Sequence, residues 1–153
     1  MHNDIKSFTQ QYRETIEPHW APDLLYEKFT ANPDDAPSAG FCGPSSVLLW
    51  QELQKTFPTE TFTLAVGRVY KNKTEWIRGK HVWMVWHHAL KGATIVDITA
   101  DQSKDIDAKV NVEDVDTLAQ SGIHYTPYQL TRAMNEVDES PKKRAELLKS
   151  RLK

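Results

Sequence analysis

The stretch that most constrains the fold lies mid-chain, where "HVWMVWHH" (81–88) and "ATIVDIT" (93–99) are apolar runs joined only by "ALKG". Runs this short and this rich in Val, Ile, Thr and Trp read as strands, and the short turn makes them antiparallel neighbours. Ahead of them Phe62, Leu64, Val66 and Tyr70 alternate with mostly small or polar residues, broken at Arg68, which adds a third strand. "NKTEWIRGK" (72–80) reads as a polar connection between the first strand and the second. The expected centre is a small antiparallel meander.

Helices are expected on both sides of it. In "DIKSFTQQYRETI" (4–16), Ile5, Phe8, Tyr12 and Ile16 fall at near-helical intervals, and Pro18 closes the segment. "APDLLYEKF" (21–29) suggests a second short helix, and "TANPDDAPSAGFCGP" (30–44) is a loop by its prolines, glycines and aspartates. "PSSVLLWQELQKTF" (44–57) has Pro44 suited to a first helical turn and Leu49, Leu53 and Phe57 on one stripe, with Pro58 as the stop.

After the strands, "ADQSKDIDAKVN" (100–111) reads as a loop. Helices are expected over "VEDVDTLAQ" (112–120), ended by Gly122, and over "TPYQLTRAMNEV" (126–137), capped by Thr126 and started by Pro127. The last segment, "SPKKRAELLKSRLK" (140–153), is a basic helix with Ser140 as cap and Ala145, Leu148 and Leu152 on one face. This order predicts an α+β class in one domain spanning residues 1–153, a length that buries roughly two thirds of the unfolded chain's surface.

Composition narrows the partners. With 19 basic against 21 acidic side chains the chain carries a formal charge of −2, so nucleic acid is not an expected ligand, and the basic last helix reads as a solvated amphipathic face. No apolar run approaches membrane-spanning length, and "MHNDIKSFTQ" lacks the apolar core of a signal peptide. A cytoplasmic protein is therefore expected, and export that reads no N-terminal signal is compatible with it. The glycine-rich "GFCGPSS" lacks the lysine of a phosphate loop and the spacing of a dinucleotide fingerprint, so no cofactor is expected. His81, His87, His88, Asp101 and His124 raise a metal site, but two adjacent histidines on a strand point to opposite faces and no compact ligand motif is present.

The chemistry that the chain can support centres on its one cysteine. Cys42 stands at or just before a helix N-terminus, where the helix dipole and unpaired backbone N–H groups favour a thiolate and an adjacent oxyanion. Taken alone, a lone cysteine is a small apolar filler. Two distant residues change that reading. His81 opens a strand and supplies a base, and Asp97 interrupts the apolar run "TIVDIT", where a carboxylate needs a partner. They lie 16 positions apart, an even number, so a hairpin that pairs residues of equal parity places both side chains on one face.

Cysteine at a helix start, then "HVW", then "VDIT" resemble the nucleophile, base and orienter motifs of the transglutaminase-like branch of the papain-like cysteine enzymes, over about residues 38–102. The resemblance implies a papain-like core, with a nucleophile-bearing helix packed on a small antiparallel sheet between flanking helices. It implies a thiol-dependent hydrolase or acyltransferase, a peptidase, deamidase or amidase, in which Cys42, His81 and Asp97 act through a thioester. Its substrate would be a protein, a peptide or a small amide. The glutamine that papain carries a few residues before its cysteine has no counterpart in "DDAPSAGF" (34–41), so the oxyanion hole falls to the Cys42 backbone N–H with Gln102 or Tyr70 as second donor. Trp83 shares the face expected for His81 and is a candidate wall of the cleft, while Trp76 and Trp86 divide between core and cleft. The alternative from another class is a non-catalytic binding or inhibitory protein that holds a protein partner with its loops or its basic last helix.

Overall fold

The computed structural model describes residues 1–26, 29, 38–89, 92–102 and 108–152. Its elements are α1 (His2–Ile16), α2 (Cys42–Thr56), β1 (Thr61–Lys71), β2 (Thr74–His87), β3 (Ala93–Asp97), β4 (Asn111–Asp114), α3 (Val115–Gln120), β5 (Ile123–Thr131) and α4 (Glu139–Ser150), with short 3-10 turns between some of them. The five strands form one antiparallel sheet in the order β4-β3-β2-β1-β5, an α+β arrangement.

Both faces of the sheet are covered, which explains why its central strands read as nearly continuous apolar runs. Leu64, Val82, Met84, Trp86 and Val96 join the core formed with α1, α2 and α4, whereas Ala65, Val69, Trp83, Val85 and Ile95 pack with Leu118 of α3. Trp76 and Ile77 join the second cluster, and Trp86 the first, so all three tryptophans of this region are core residues.

Helix α2 is buried along most of its length and not only on the expected stripe, because Leu48 and Trp50 are covered as fully as Leu49 and Leu53. It lies between the sheet and α4. Ser46 Oγ donates to Val82 O at 3.0 Å and Trp50 Nε1 to Phe62 O at 3.0 Å, so the helix is pinned to the sheet by polar contacts as well as by packing. In α1 the buried positions are Ile5, Thr9, Arg13 and Ile16, with Phe8 and Tyr12 at the margin.

Several expectations are corrected. The polar connection 72–80 is a two-residue turn: Asn72 and Lys73 take φ of +52° and +68°, and β2 has begun by Thr74. That backbone fits a tight hairpin, in which both turn residues need positive φ. The helix over 21–29 reduces to the 3-10 turn Pro22–Leu24, with positions 27 and 28 outside the described residues. Residues 112–114 belong to strand β4, so only the last six residues of the predicted helix 112–120 are helical.

The largest correction concerns 126–137, where no α-helix forms: residues 126–131 belong to the edge strand β5 and Met134–Glu136 make a 3-10 turn. Thr126 is not a cap, and Pro127 sits at a shift in the β1–β5 register, between Val66 and Gly67. A proline tolerates that place because an edge strand with an irregular register leaves room for a missing N–H. At the last helix the N-cap position is Asp138 instead of Ser140. Parts of the loops 30–44 and 100–111 (positions 30–37 and 103–107), two positions of the "ALKG" turn (90 and 91), and residue 153 lie outside the described residues. No described helix is long and apolar enough to cross a membrane.

Gly67 shows how closely β5 is held. It pairs with His81 on one side and Pro127 on the other, and a Cβ there would stand 2.1 Å from Thr126 O and 2.7 Å from Pro127 Cα. Both obstacles are backbone, so the strand itself would have to move. Gly67→Ala is expected to cost about 1–3 kcal/mol of stability, read as a lower guanidinium midpoint. An unchanged midpoint would show that β5 is not clamped to β1 at this point.

Candidate active site

Cys42 is the first residue of α2, delivered by the turn Ser38–Gly40, in which Phe41 N–H donates to Ser38 O at 3.0 Å and Gly40 takes φ +84°. Ser45 N–H is bonded to Phe41 O and Pro44 has no N–H, so Cys42 and Gly43 carry the N–H groups of this first turn that have no partner among the described residues.

The turn is fixed from outside by a buried cation. Arg13, 1 % exposed, forks onto Asp101 with two bonds of 2.9 Å and reaches Ile98 O and Lys109 O at 3.0 Å each, while its Nε meets Glu17 at 3.1 Å. Asp101 in turn accepts from Ser38 Oγ at 2.5 Å. Trp20 lies over Arg13 on one side and stacks on Phe41 at 4.9 Å, with its indole N–H donated to Ser45 Oγ at 3.0 Å. Five donors in a rigid fork are what let one arginine hold three segments together. The signal in the sequence was an arginine on the apolar side of α1, eight positions after Ile5.

His81 and Asp97 meet as the even spacing leads one to expect. β2 and β3 pair Met84 with Val96, a register of equal parity, and His81 Nε2 lies 2.8 Å from Asp97 Oδ2 with both side chains buried. Asp97 has three further bonds: Tyr125 O–H donates to Oδ2 at 2.7 Å, and Thr99 donates to Oδ1 from its N–H at 3.1 Å and its hydroxyl at 3.4 Å. The other imidazole nitrogen, Nδ1, is buried and without a formed hydrogen bond. It is the one left for the sulfur.

The electrostatics couple the thiol to the ring. Burial by itself would push the Cys42 thiol up, but the hydrogen-bonding reach and charge of His81, with the Val82 backbone, hold it below its ordinary value against the opposing charge of Asp97. Burial would lower His81, yet the charge and hydrogen bond of Asp97, with Cys42 adding to them, raise it to about 10. The two groups are thus coupled electrostatically while His81 Nδ1 closes no hydrogen bond. At neutral pH these directions favour a thiolate beside an imidazolium.

Two cavities flank Cys42. The larger, about 280 Å³, is lined among others by Gly43, Val66, Tyr128, Asp138 and Arg144, and the smaller, about 90 Å³, by Ile77, Gly79 and Gln102. Tyr26, Gly40, Cys42 and Lys80 border both.

Of the other site candidates, Gln102 is in the smaller cavity with its amide donating to Ser38 O at 2.5 Å, and its second hydrogen has no partner among the described residues. Tyr70 lies toward the end of β1, opposite Glu75 and His124, and borders neither cavity. Trp83 is also outside the cleft: its ring stacks on His81 at 6.0 Å and meets Tyr125 edge-on at 5.1 Å, backing the histidine from the core. His87 and His88 do separate, to Thr63 and Thr94, and among the described residues no group of three or more His, Cys, Asp or Glu is placed to hold a metal ion.

Tyr125, Lys80 and Arg144 were missed by the sequence reading. Tyr125 was hidden by the reading of "TPYQLT" as a capped helix, although Ile123 and Tyr125 already alternate with polar residues. Arg144 lay in a helix read as a solvated face. No family model matches the chain, and neither a curated protein nor a solved structure matches it.

Proposed function

We propose that the protein is a thiol hydrolase or acyltransferase of papain-like type that acts on an amide bond through Cys42, His81 and Asp97. The observation that carries this reading is the 2.8 Å bond between His81 Nε2 and Asp97, which leaves Nδ1 alone to serve a cysteine at a helix N-terminus between two cavities.

In the first half-reaction the Cys42 thiolate attacks the amide carbon, a C–S bond forms, and the carbonyl electron pair moves onto oxygen. The Cys42 backbone N–H and the second hydrogen of the Gln102 amide receive that oxyanion. Nδ1–H of the His81 imidazolium then gives its proton to the leaving nitrogen as the C–N bond breaks, and a thioester remains. Asp97 holds the ring by Nε2 throughout, and Tyr125 and Thr99 hold Asp97.

In the second half-reaction Nδ1 takes a proton from water as its oxygen attacks the thioester. Collapse releases the acid and restores the thiolate and imidazolium. An amine in place of water gives acyl transfer through the same steps. The two cavities would receive the acyl and leaving-group sides of a peptide or a smaller amide.

The thioester gives a direct test. With p-nitrophenyl acetate, a burst of p-nitrophenol equal to the enzyme present and one acetyl group in the intact mass are expected, both lost in Cys42→Ala. A burst that survives the substitution, or the lack of any burst from the wild type, would rule out Cys42 as nucleophile.

A further inference from the structure

Arg144 of α4 is half-buried beside the nucleophile. Its Nε donates to Ser140 O at 3.2 Å and its Nη1 to Leu24 O at 3.1 Å, so its bonds to other described residues end on neutral carbonyls. Among the described residues it forms no ion pair. Its Nη2 lies 3.6 Å from where a Cβ on Gly43 would stand, which brings the guanidinium against the residue after Cys42. Burial lowers its pKa from the ordinary value, partly countered by Cys42 and Tyr26.

A guanidinium removed from water without a carboxylate is an uncompensated cost that an incoming anion can relieve. The surroundings point the same way. Lys80 borders the same cavity, and its Nζ and the Arg144 guanidinium both lie about 6 Å from the Tyr26 ring, at 6.0 and 5.9 Å. The N-terminus of the 15-residue α2 opens onto it with no side-chain cap. Asp138 is the one carboxylate among the described lining residues, and it stands at the N-cap position of α4, near the positive end of that helix, without a side-chain cap hydrogen bond.

We propose that the substrate carries a carboxylate, bound by Arg144 with Lys80 in the larger cavity and close along the substrate to the carbonyl that Cys42 attacks. This deepens the proposed function and rests on Cys42 being the nucleophile. A carboxylate fits a planar fork whose Nη2 has no partner among the described residues, and a cavity of about 280 Å³, better than a bulky polyanion does.

The test uses two alkylating reagents of nearly equal size, neutral iodoacetamide and anionic iodoacetate. Each forms a thioether with the thiolate and releases iodide, so the ratio of their rates is independent of how much thiolate is present. The iodoacetate-to-iodoacetamide ratio at Cys42 is expected to exceed that of 2-mercaptoethanol by roughly tenfold, the scale of a charge-assisted hydrogen bond. Arg144→Gln should bring it down to the 2-mercaptoethanol value and Lys80→Gln part of the way. A wild-type ratio no higher than that of 2-mercaptoethanol, or one that Arg144→Gln leaves unchanged, would overturn the proposal. If Arg144→Gln does not fold, the wild-type ratio and the exposed Lys80→Gln variant decide it by the same criteria.

The two readings fail differently. Slow reaction with iodoacetamide near pH 6 removes the activated nucleophile. The ratio, repeated at about pH 9 where an ordinary thiol also ionises, still reports on the cations.

Discussion

At pH 6 Cys42 is expected to react with iodoacetamide about 10- to 100-fold faster than a free thiol, and in His81→Ala to react more slowly than a free thiol. An ordinary cysteine holds about 0.3 % thiolate at that pH, so a thiol kept ionised has about 300 times more. Its lower basicity makes each thiolate less nucleophilic, which reduces the net gain to the range given. His81 is the main source of the downward shift, and without it burial is left to push the thiol up. The sign of the change in His81→Ala relative to a free thiol therefore separates activation from mere exposure.

The pH profile carries a second signature. Wild-type alkylation should rise less steeply between about pH 6 and 8 than that of a free thiol, which gains tenfold per unit there, and should fall as the pH drops through the depressed Cys42 value. As the pH rises past about 10, His81 loses its proton while the sulfur stays ionised. Alkylation should then persist, whereas acyl transfer, which needs the imidazolium proton for the leaving group, should decline. Equal rates for wild type and His81→Ala at pH 6, measured by intact mass, would remove the histidine from the site.

The contact between His81 and Asp97 was legible in the sequence for a definite reason. A strand has a period of two, and the spacing of the two residues was even, so any register of equal parity put them on one face. Asp97 was also conspicuous as a charge inside "TIVDIT" that no apolar core tolerates unpaired. The helix behind Cys42 was equally legible, since Pro44 and the run from Val47 to Leu53 leave few alternatives.

What failed has a common cause. In β5, Thr126 and Pro127 carry a good local helix start, but pairing with β1 and the clearance left by Gly67 overrode it. In 72–80, polar residues at both ends masked Trp76 and Ile77, whose burial depends on α3 and β5 lying over them. Both errors concern segments that long-range pairing decides, and both fall beside the site. The meeting of His81 and Asp97 and the place of Cys42 at a helix start were thus legible, but the Tyr125 hydroxyl that bonds Asp97 was not.

Asp97→Ala is expected to cost about 3–5 kcal/mol, the penalty for leaving a buried pair without one partner. Nε2 of His81, the Tyr125 hydroxyl and the Thr99 N–H all lose their acceptor, and His81, Asp97 and Thr99 have no exposure. Tyr125→Phe removes only one donor from a carboxylate that keeps the others, so about 1 kcal/mol is expected. Guanidinium unfolding of the two variants reads this ranking directly. A loss at Asp97→Ala no larger than at Tyr125→Phe would mean that the histidine does not depend on Asp97.

The same carboxylate sets a pH window. His81 is raised from 6.5 to about 10, so its contribution is complete below about 6.5 and is lost as pH rises through about 10. Cys42 is lowered from 9.0, so its contribution is complete above about 9 and is lost as pH falls through the native value. Between the native Cys42 value and about 9 the two slopes oppose each other, because folding there moves a proton from sulfur to imidazole. Wild-type stability should vary least in that interval and fall as pH rises from about 9 through about 10. Asp97→Ala should lose the decline between about 9 and 10, since His81 no longer keeps its proton there, and an alkaline decline as steep as the wild type's would show that something other than Asp97 holds the imidazolium.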